Sequence, residues 1–335
     1  MEKKTIVVFG ATGNLGAYTV MELLRYNFTV IAVGHRANDN NFFKDHGATY
    51  YSVDICNKES MQILPTHNIY GVVHLAGELP SRYEYNPASL IDSIIKGTLN
   101  VLEYIRSVKA EVIIFPQTPF DVSNYHNTTK AIPADTQRSF PTTGDHSIYT
   151  IAKNAAVDLI EHYHYQYGIR RFILRFFTIY QYHPSPFHYA NYIRKKMPYR
   201  ILIDKAIKGE PIEIWGDPKR AKEMVYIKDF TYLVRLCLES PIQGGIYNVG
   251  NGWQVTLEEQ IQGIIDVFSP KEKKSPIIYR PEEQDSLQAA FDISKTQQEL
   301  NYSPQFSYLE SLKDLYQEMQ EEPFAQLWGK KDDYE

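Results

Sequence analysis

An α/β architecture is expected from this chain: a doubly wound parallel sheet, followed by a smaller mixed α/β C-terminal unit. Three features point there. Short β-branched runs alternate with segments of helical periodicity over roughly the first 180 residues. A glycine-rich turn separates the first strand from the first helix. Beyond about Tyr180 the rhythm changes, with sequence rich in Pro, His and Tyr and shorter elements. Hydrophobic residues make up 43% of the 335, enough to bury a sizeable core. At ~150 residues per domain, the length suggests about two domains.

The elements follow in order. Thr5–Phe9 is continuously apolar rather than alternating, as a strand covered on both faces requires. Leu15, Tyr18, Met21 and Leu24, three residues apart, mark the apolar stripe of the first helix. Strands are expected at 28–33, 49–53, 71–75, 112–115 and 171–174, with helices at 87–107 and 149–167. The polar stretch 121–147 reads as a long loop, and such loops are usually functional or mobile. Residues 181–200 read as an ordered loop plus a short helix, followed by a helix at 201–208 and a strand at 211–215. A helix at 229–238, a strand at 245–249 and helices at 257–268 and 307–319 complete the chain. The segments near 225–250 are expected to return to the first unit. That gives one unit of 1–180 plus about 225–250, and a second of 181–224 and 251–330.

Lys plus Arg number 35 against 40 Asp plus Glu, a net charge of −5. The basic footprint that binds a phosphate backbone is missing, so nucleic acid is not expected as the main partner. No apolar run reaches the ~18–20 residues of a membrane span. Met1-Glu2-Lys3-Lys4-Thr5 leads into a strand without a secretory h-region. Two cysteines, Cys56 and Cys237, suit a reducing compartment. A cytoplasmic protein with no membrane partner is the expectation. His162 and His164 stand two apart on a helix and point away from each other, so no metal site is expected.

The turn Gly10-Ala11-Thr12-Gly13-Asn14-Leu15-Gly16 carries the first chemical signal. Its first glycine permits the tight turn, the second admits a pyrophosphate to the backbone, and the third lets helix and strand pack closely. The helix N-terminus then offers free N–H groups and a partial positive charge. A bound dinucleotide, NAD or NADP, is expected. The second strand ends Val33-Gly34-His35-Arg36, without the acid that usually holds the adenosine ribose. Arg36 suits a 2′-phosphate instead and tilts the expectation slightly toward NADP. Asp54, at the end of the third strand, is placed to accept from the adenine amino group or to cap the following turn.

Tyr149 and Lys153 stand at i and i+4 on one helix face. A nearby ammonium lowers a phenol's pKa, so Tyr149 is expected to move a proton to or from an alcohol oxygen, with Lys153 as its electrostatic partner; the pair is also expected at the cofactor, Lys153 on the nicotinamide ribose. Thr118, ending the fifth strand, supplies a hydroxyl that can orient a carbonyl. In a chain with 26 Tyr, position rather than the spacing alone singles this pair out.

These motifs resemble the extended short-chain dehydrogenase/reductases, the nucleotide-sugar epimerase/dehydratase family. The likeness rests on the turn at 10–16, Asp54, His74-Leu75-Ala76-Gly77, Gly97-Thr98-Leu99-Asn100, Tyr149/Lys153 and Leu174-Arg175-Phe176. Trp215-Gly216-Asp217, Val225-Tyr226-Ile227-Lys228-Asp229 and Tyr247-Asn248-Val249-Gly250 extend it to about residues 4–318. The resemblance implies a Rossmann unit holding NAD(P), with Ile55, Leu75, Ala76 and Gly77 also at the cofactor, and a smaller unit holding a nucleoside-diphosphate sugar. It implies Tyr149 as the base at C4, Thr118 as its hydroxyl partner, and Thr178, Lys222 and Arg280 at the substrate. It further implies a homodimer through the helices near 87–107 and 149–167.

Several positions depart from the family pattern. Ile94 and Thr178 replace asparagines, Gln181 replaces a glycine, and Lys222 lacks the arginine fork. Pro119-Phe120-Asp121 stands where 4,6-dehydratases carry an Asp-Glu pair, so 4,6-dehydration is not expected. The favoured reading is a UDP- or dTDP-sugar 4-epimerase. An NADPH-dependent nucleotide-4-keto-sugar reductase and a non-catalytic NADP(H) sensor remain as alternatives.

Overall fold

The computed structural model describes residues 3–80, 84–144 and 146–334. Met1 and Glu2, expected to lead into the first strand, and Asp145 of the long loop lie outside them. Seven strands form one sheet: β1 (Thr5–Phe9), β2 (Thr29–Gly34), β3 (Thr49–Ser52), β4 (Ile69–His74), β5 (Val112–Gln117), β6 (Arg170–Arg175) and β7 (Gly244–Asn248). Their order is β7-β6-β5-β4-β1-β2-β3, and every pairing is parallel. The order reverses between β1 and β4, the point where such sheets open a ligand crevice beyond their carboxyl ends.

The continuous apolar run of β1 is explained by its two covered faces. Ile6 and Val8 pack on one side with α1 (Asn14–Arg25) and with the helix Ile227–Glu239. Val7 and Phe9 pack on the other with α2 (Gly97–Val108) and α3 (Ser147–Tyr167). The helix expected at 87–107 is broken in character rather than in path. Pro87–Leu90 passes into a π turn at Ile91–Lys96 before α2 begins. Wide turns of this kind often mark functional positions, and Ser93 and Ile94 of this one each line a cleft.

One expectation about irregular sequence needs correction. Residues 181–200 form an antiparallel hairpin, Phe187–Ala190 with Ile193–Lys196, ahead of the helix Pro198–Lys208. Its two-residue turn puts Asn191 and Tyr192 at φ 49° and 62°, the left-handed pair such hairpins need. Tyrosine there gives no turn signal. The stretch 121–147 is anchored rather than loose. It opens with a 3₁₀ helix, Pro119–Tyr125, and Asn127 N and Ile132 N donate to Gln288 O and Ala290 O.

The remaining segments include a parallel strand pair, Ile212–Trp215 with Ile277–Arg280, beside the helices Leu257–Phe268 and Tyr308–Glu321. Both helices start in capping boxes, Thr256 with Glu259 and Ser307 with Glu310. No helix among the described residues is long and apolar enough to cross a membrane.

Candidate active site

The turn after β1 is held by two donors on one acceptor, Gly10 N and Ala11 N to Val33 O at 2.8 and 2.9 Å. Gly10 has φ +81°, and a Cβ there would lie 2.7 Å from Ala76 N. At Gly16 a Cβ would meet Gly10 O at 2.0 Å. Only glycine lets β4 and α1 approach the turn this closely. The first turn of α1, with Asn14 and Gly16, contains no acidic residue to repel an anion.

A cleft of about 510 Å³ opens along this turn, lined among others by Gly10, Thr12, Gly13, Gly34, Arg36, Asp54, Ile55, Leu75, Ala76 and Gly77. The position of the missing ribose acid, Gly34, is crowded by two side chains. A Cβ at Gly34 would lie 2.8 Å from Thr12 Oγ1 and 3.0 Å from the Tyr50 hydroxyl. Arg36 stands at the rim, where it donates to Leu327 O at 3.0 Å. Asp54 is at once cleft wall and turn cap, its Oδ1 accepting from Cys56 N at 2.9 Å. The glycine cradle, an anion-compatible helix end and this carboxylate together fit a dinucleotide.

A second cleft, of about 360 Å³, shares residues 75–78 with the first. Leu15, Thr118, Tyr149, Lys153, Thr178 and Lys222 all line it. Thr118 follows β5 directly and caps the 3₁₀ helix Pro119–Tyr125, its Oγ1 accepting from Phe120 N at 3.2 Å. Gln117 fixes that strand end to α3 by donating to Asn154 Oδ1 at 2.9 Å. Tyr149 and Lys153 lie one turn apart on α3, and the Lys153 ammonium sits 3.9 Å from the Phe115 ring centre. Burial pushes Lys153 down to about 7 and Tyr149 up to about 12. The expectation that the ammonium lowers the phenol is therefore not met by the protein alone. Desolvation drives both groups toward their neutral forms.

Asp121 is buried against Arg175, which donates to its Oδ2 from two nitrogens at 2.7 and 3.1 Å. Burial raises this carboxyl, with the guanidinium opposing the rise. Arg175 also reaches Ala134 O and Asn248 Oδ1, both at 3.2 Å. The nearest carboxylate after Thr118 in sequence is thus part of an internal ion pair.

In the same cleft Lys222 Nζ donates to Thr178 Oγ1 at 3.2 Å, and burial lowers the lysine. Arg280 does not join them. Its strand pairs with Ile212–Trp215, and the guanidinium reaches along that pair to Glu213 at 3.2 Å, outside both clefts. His126 was not anticipated. It lines the second cleft, and its buried Nε2 has no hydrogen-bond partner among the described residues. Its only sequence signal was its place in the long 121–147 stretch. Among the described residues no group of three or more His, Cys, Asp or Glu gathers to hold a metal.

Comparison with known proteins agrees with this geometry. The NAD dependent epimerase/dehydratase family matches residues 6–250. A UDP-glucuronate 4-epimerase of Thermodesulfobacterium geofontis is 29% identical, over 82% of this chain and 80% of its own. A dTDP-glucose 4,6-dehydratase of Xanthomonas campestris is 26% identical, over 91% and 90%. The UDP-glucose 4-epimerase of Thermotoga maritima, solved with UDP-glucose, superposes with a TM-score of 0.76 at 23% identity, covering 95% of this chain and 99% of that one. The UDP-glucuronic acid 4-epimerase of Bacillus cereus, solved with NAD, gives 0.70 at 22%, over 97% and 99%. From its parallel sheet, its glycine turn and the match over most of its length, the chain belongs to the NAD dependent epimerase/dehydratase family of enzymes.

Proposed function

We propose that the protein is a nucleotide-sugar 4-epimerase acting on a UDP- or dTDP-linked hexose through a 4-keto sugar. The observation that carries this reading is the convergence of Thr118, Tyr149 and Lys153 in a cleft continuous with the dinucleotide cradle. The Gly10–Gly16 turn and Asp54 would hold a dinucleotide, which when bound would supply the hydride acceptor and donor for C4. The chain's own residues handle the proton. Thr118 Oγ1 already accepts from Phe120 N, so its hydroxyl hydrogen is the one to donate to the C4 oxygen. Tyr149 takes the C4 hydroxyl proton during oxidation and gives it back during reduction. Lys153, with a pKa close to neutral, supports the tyrosinate while protonated.

Lys222 and Thr178 are assigned to the substrate's diphosphate, with Lys222 as a point charge. Arg280 is assigned there only if its strand end shifts away from Glu213. Elimination of water from C5 and C6 needs a proton shuttle beside Thr118, and the Asp121 carboxylate is held by Arg175 instead. We assign residues 1–180 plus about 225–250 to the dinucleotide and 181–224 plus 251–330 to the sugar nucleotide. A homodimer is supported by exposed Ile91, Leu99 and Ile151 on the neighbouring helices near 87–107 and 149–167. Cys56 and Cys237 are both free thiols, which supports a cytoplasmic location.

A second reading, an NADPH-dependent 4-ketoreductase, is favoured by one observation. Gly34 supplies no ribose-binding acid, and Arg36 stands at the same rim. Incubation with UDP- and dTDP-hexoses separates the two. An epimerase yields the C4 epimer without added dinucleotide. A ketoreductase consumes NADPH on a 4-keto sugar and yields no epimer without it. Mass spectrometry of the purified protein identifies which dinucleotide it carries.

A further inference from the structure

The last residues of the chain return to its first turn. Trp328 is 4% exposed, and its Nε1 donates to Thr12 O at 3.0 Å across 316 residues of sequence. Its ring packs against Phe324 and His183, each with centres 4.5 Å apart. One residue earlier, Leu327 O accepts from Arg36 at 3.0 Å. Gln326 exchanges two hydrogen bonds with Asn40, both 2.9 Å. Neither Trp328 nor Leu327 lines the dinucleotide cleft, yet their two partners, Thr12 and Arg36, do.

We infer that the C-terminal segment is a strap that sets the shape of the dinucleotide cradle, with Trp328 as its positioning residue. A trans peptide fixes the Thr12 carbonyl and the Gly13 N–H in one plane. Trp328 holds that plane from outside, at the carbonyl, and Gly10 O holds it from inside, accepting from Gly13 N at 2.9 Å. The orientation of the phosphate-facing backbone therefore depends on the far end of the chain. Arg36, on the adenosine rim, is held by the same strap. His183 belongs to the segment just ahead of the 187–196 hairpin, so the strap also ties the cradle to that region.

This inference rests on the dinucleotide reading of the cleft, and the test separates the two. Affinities for NAD⁺ and NADP⁺ are measured by calorimetry on the full chain and on Trp328→Phe, each first freed of any dinucleotide it carries; the variant keeps an aromatic ring and removes the donor. One net hydrogen bond, ~1 kcal/mol, corresponds to about fivefold. The expected result is a dissociation constant raised about fivefold or more for both dinucleotides, with a thermal midpoint moved by only a few degrees. Buried Trp328 should also change its emission when dinucleotide binds, and that response should vanish in the variant. Gln326→Ala removes the exposed side-chain bonds to Asn40 O and Asp45 Oδ2, keeps the backbone one, and gives a smaller loss in the same direction; it decides the matter where the first variant does not fold. Unchanged affinities in the folded variants overturn the strap. A wild-type protein that binds neither dinucleotide overturns the reading of the cleft itself.

Discussion

Two buried charged groups near the end of β5 have opposite surroundings. Arg175 meets Asp121 through two hydrogen bonds and is completed by Ala134 O and Asn248 Oδ1. Lys153 lies over the Phe115 ring, and among the described residues no carboxylate pairs with it. The first arrangement satisfies its charges internally and has little left to offer a substrate. The second leaves a lysine poised near neutrality beside a phenol in an open cleft. Burial is common to both. The presence or absence of an internal counter-charge separates a structural pair from a reactive one.

Tyr149→Phe is the hardest test of this contrast. Removing a positioned acid–base is expected to lower kcat by ~10³-fold, within the range such groups contribute, while dinucleotide affinity and the thermal midpoint stay near wild type. Steady-state kinetics beside calorimetry check it.

Lys153→Met comes next, with an effect on stability that runs opposite to its effect on activity. The folded pKa of about 7 lies below the ordinary 10.5, so the unfolded chain holds more protons between those values. Wild-type stability should therefore rise as pH climbs from about 7 toward 10.5, by on the order of 5 kcal/mol in all. The methionine variant should lack that rise, be the more stable protein below pH 7, and lose turnover. Denaturant melts across this window read the slope.

Asp121→Asn should do the reverse. Stranding the Arg175 charge costs about 3–5 kcal/mol of stability, while kcat of the folded fraction remains near wild type. A fall in kcat with no change in the denaturation midpoint would make Asp121 part of the chemistry. The smallest effect is expected at Lys222→Met, where loss of a charged hydrogen bond, ~1.5 kcal/mol, raises KM about tenfold and leaves kcat nearly unchanged.

How far the sequence could be read followed the distance between partners. The glycine turn, the order of strands and helices, and the i, i+4 spacing of Tyr149 and Lys153 are local patterns, and local geometry writes them into adjacent residues. Thr118 was legible because strand ends point at the crevice of a parallel sheet. The Asp121–Arg175 pair spans 54 residues and the Trp328–Thr12 bond 316, and neither leaves a periodic trace. Arg280 was expected at the substrate from the family resemblance alone; its partner Glu213 lies 67 residues earlier, and that pairing left no local signal. The charge shifts on Tyr149 and Lys153 were missed for a related reason. Proximity of the two groups was readable, but their desolvation depends on everything folded around them.

The most direct test follows the hydrogen at C4. Wild-type protein is given a UDP-hexose carrying deuterium at C4, with no added dinucleotide, and the products are examined by NMR. A 4-epimerase gives the C4 epimer with deuterium still at C4 and the C6 group intact, and Tyr149→Phe gives no product. Deuterium recovered at C6 of a 6-deoxy-4-keto sugar, or an epimer formed equally well by Tyr149→Phe, would contradict that reading.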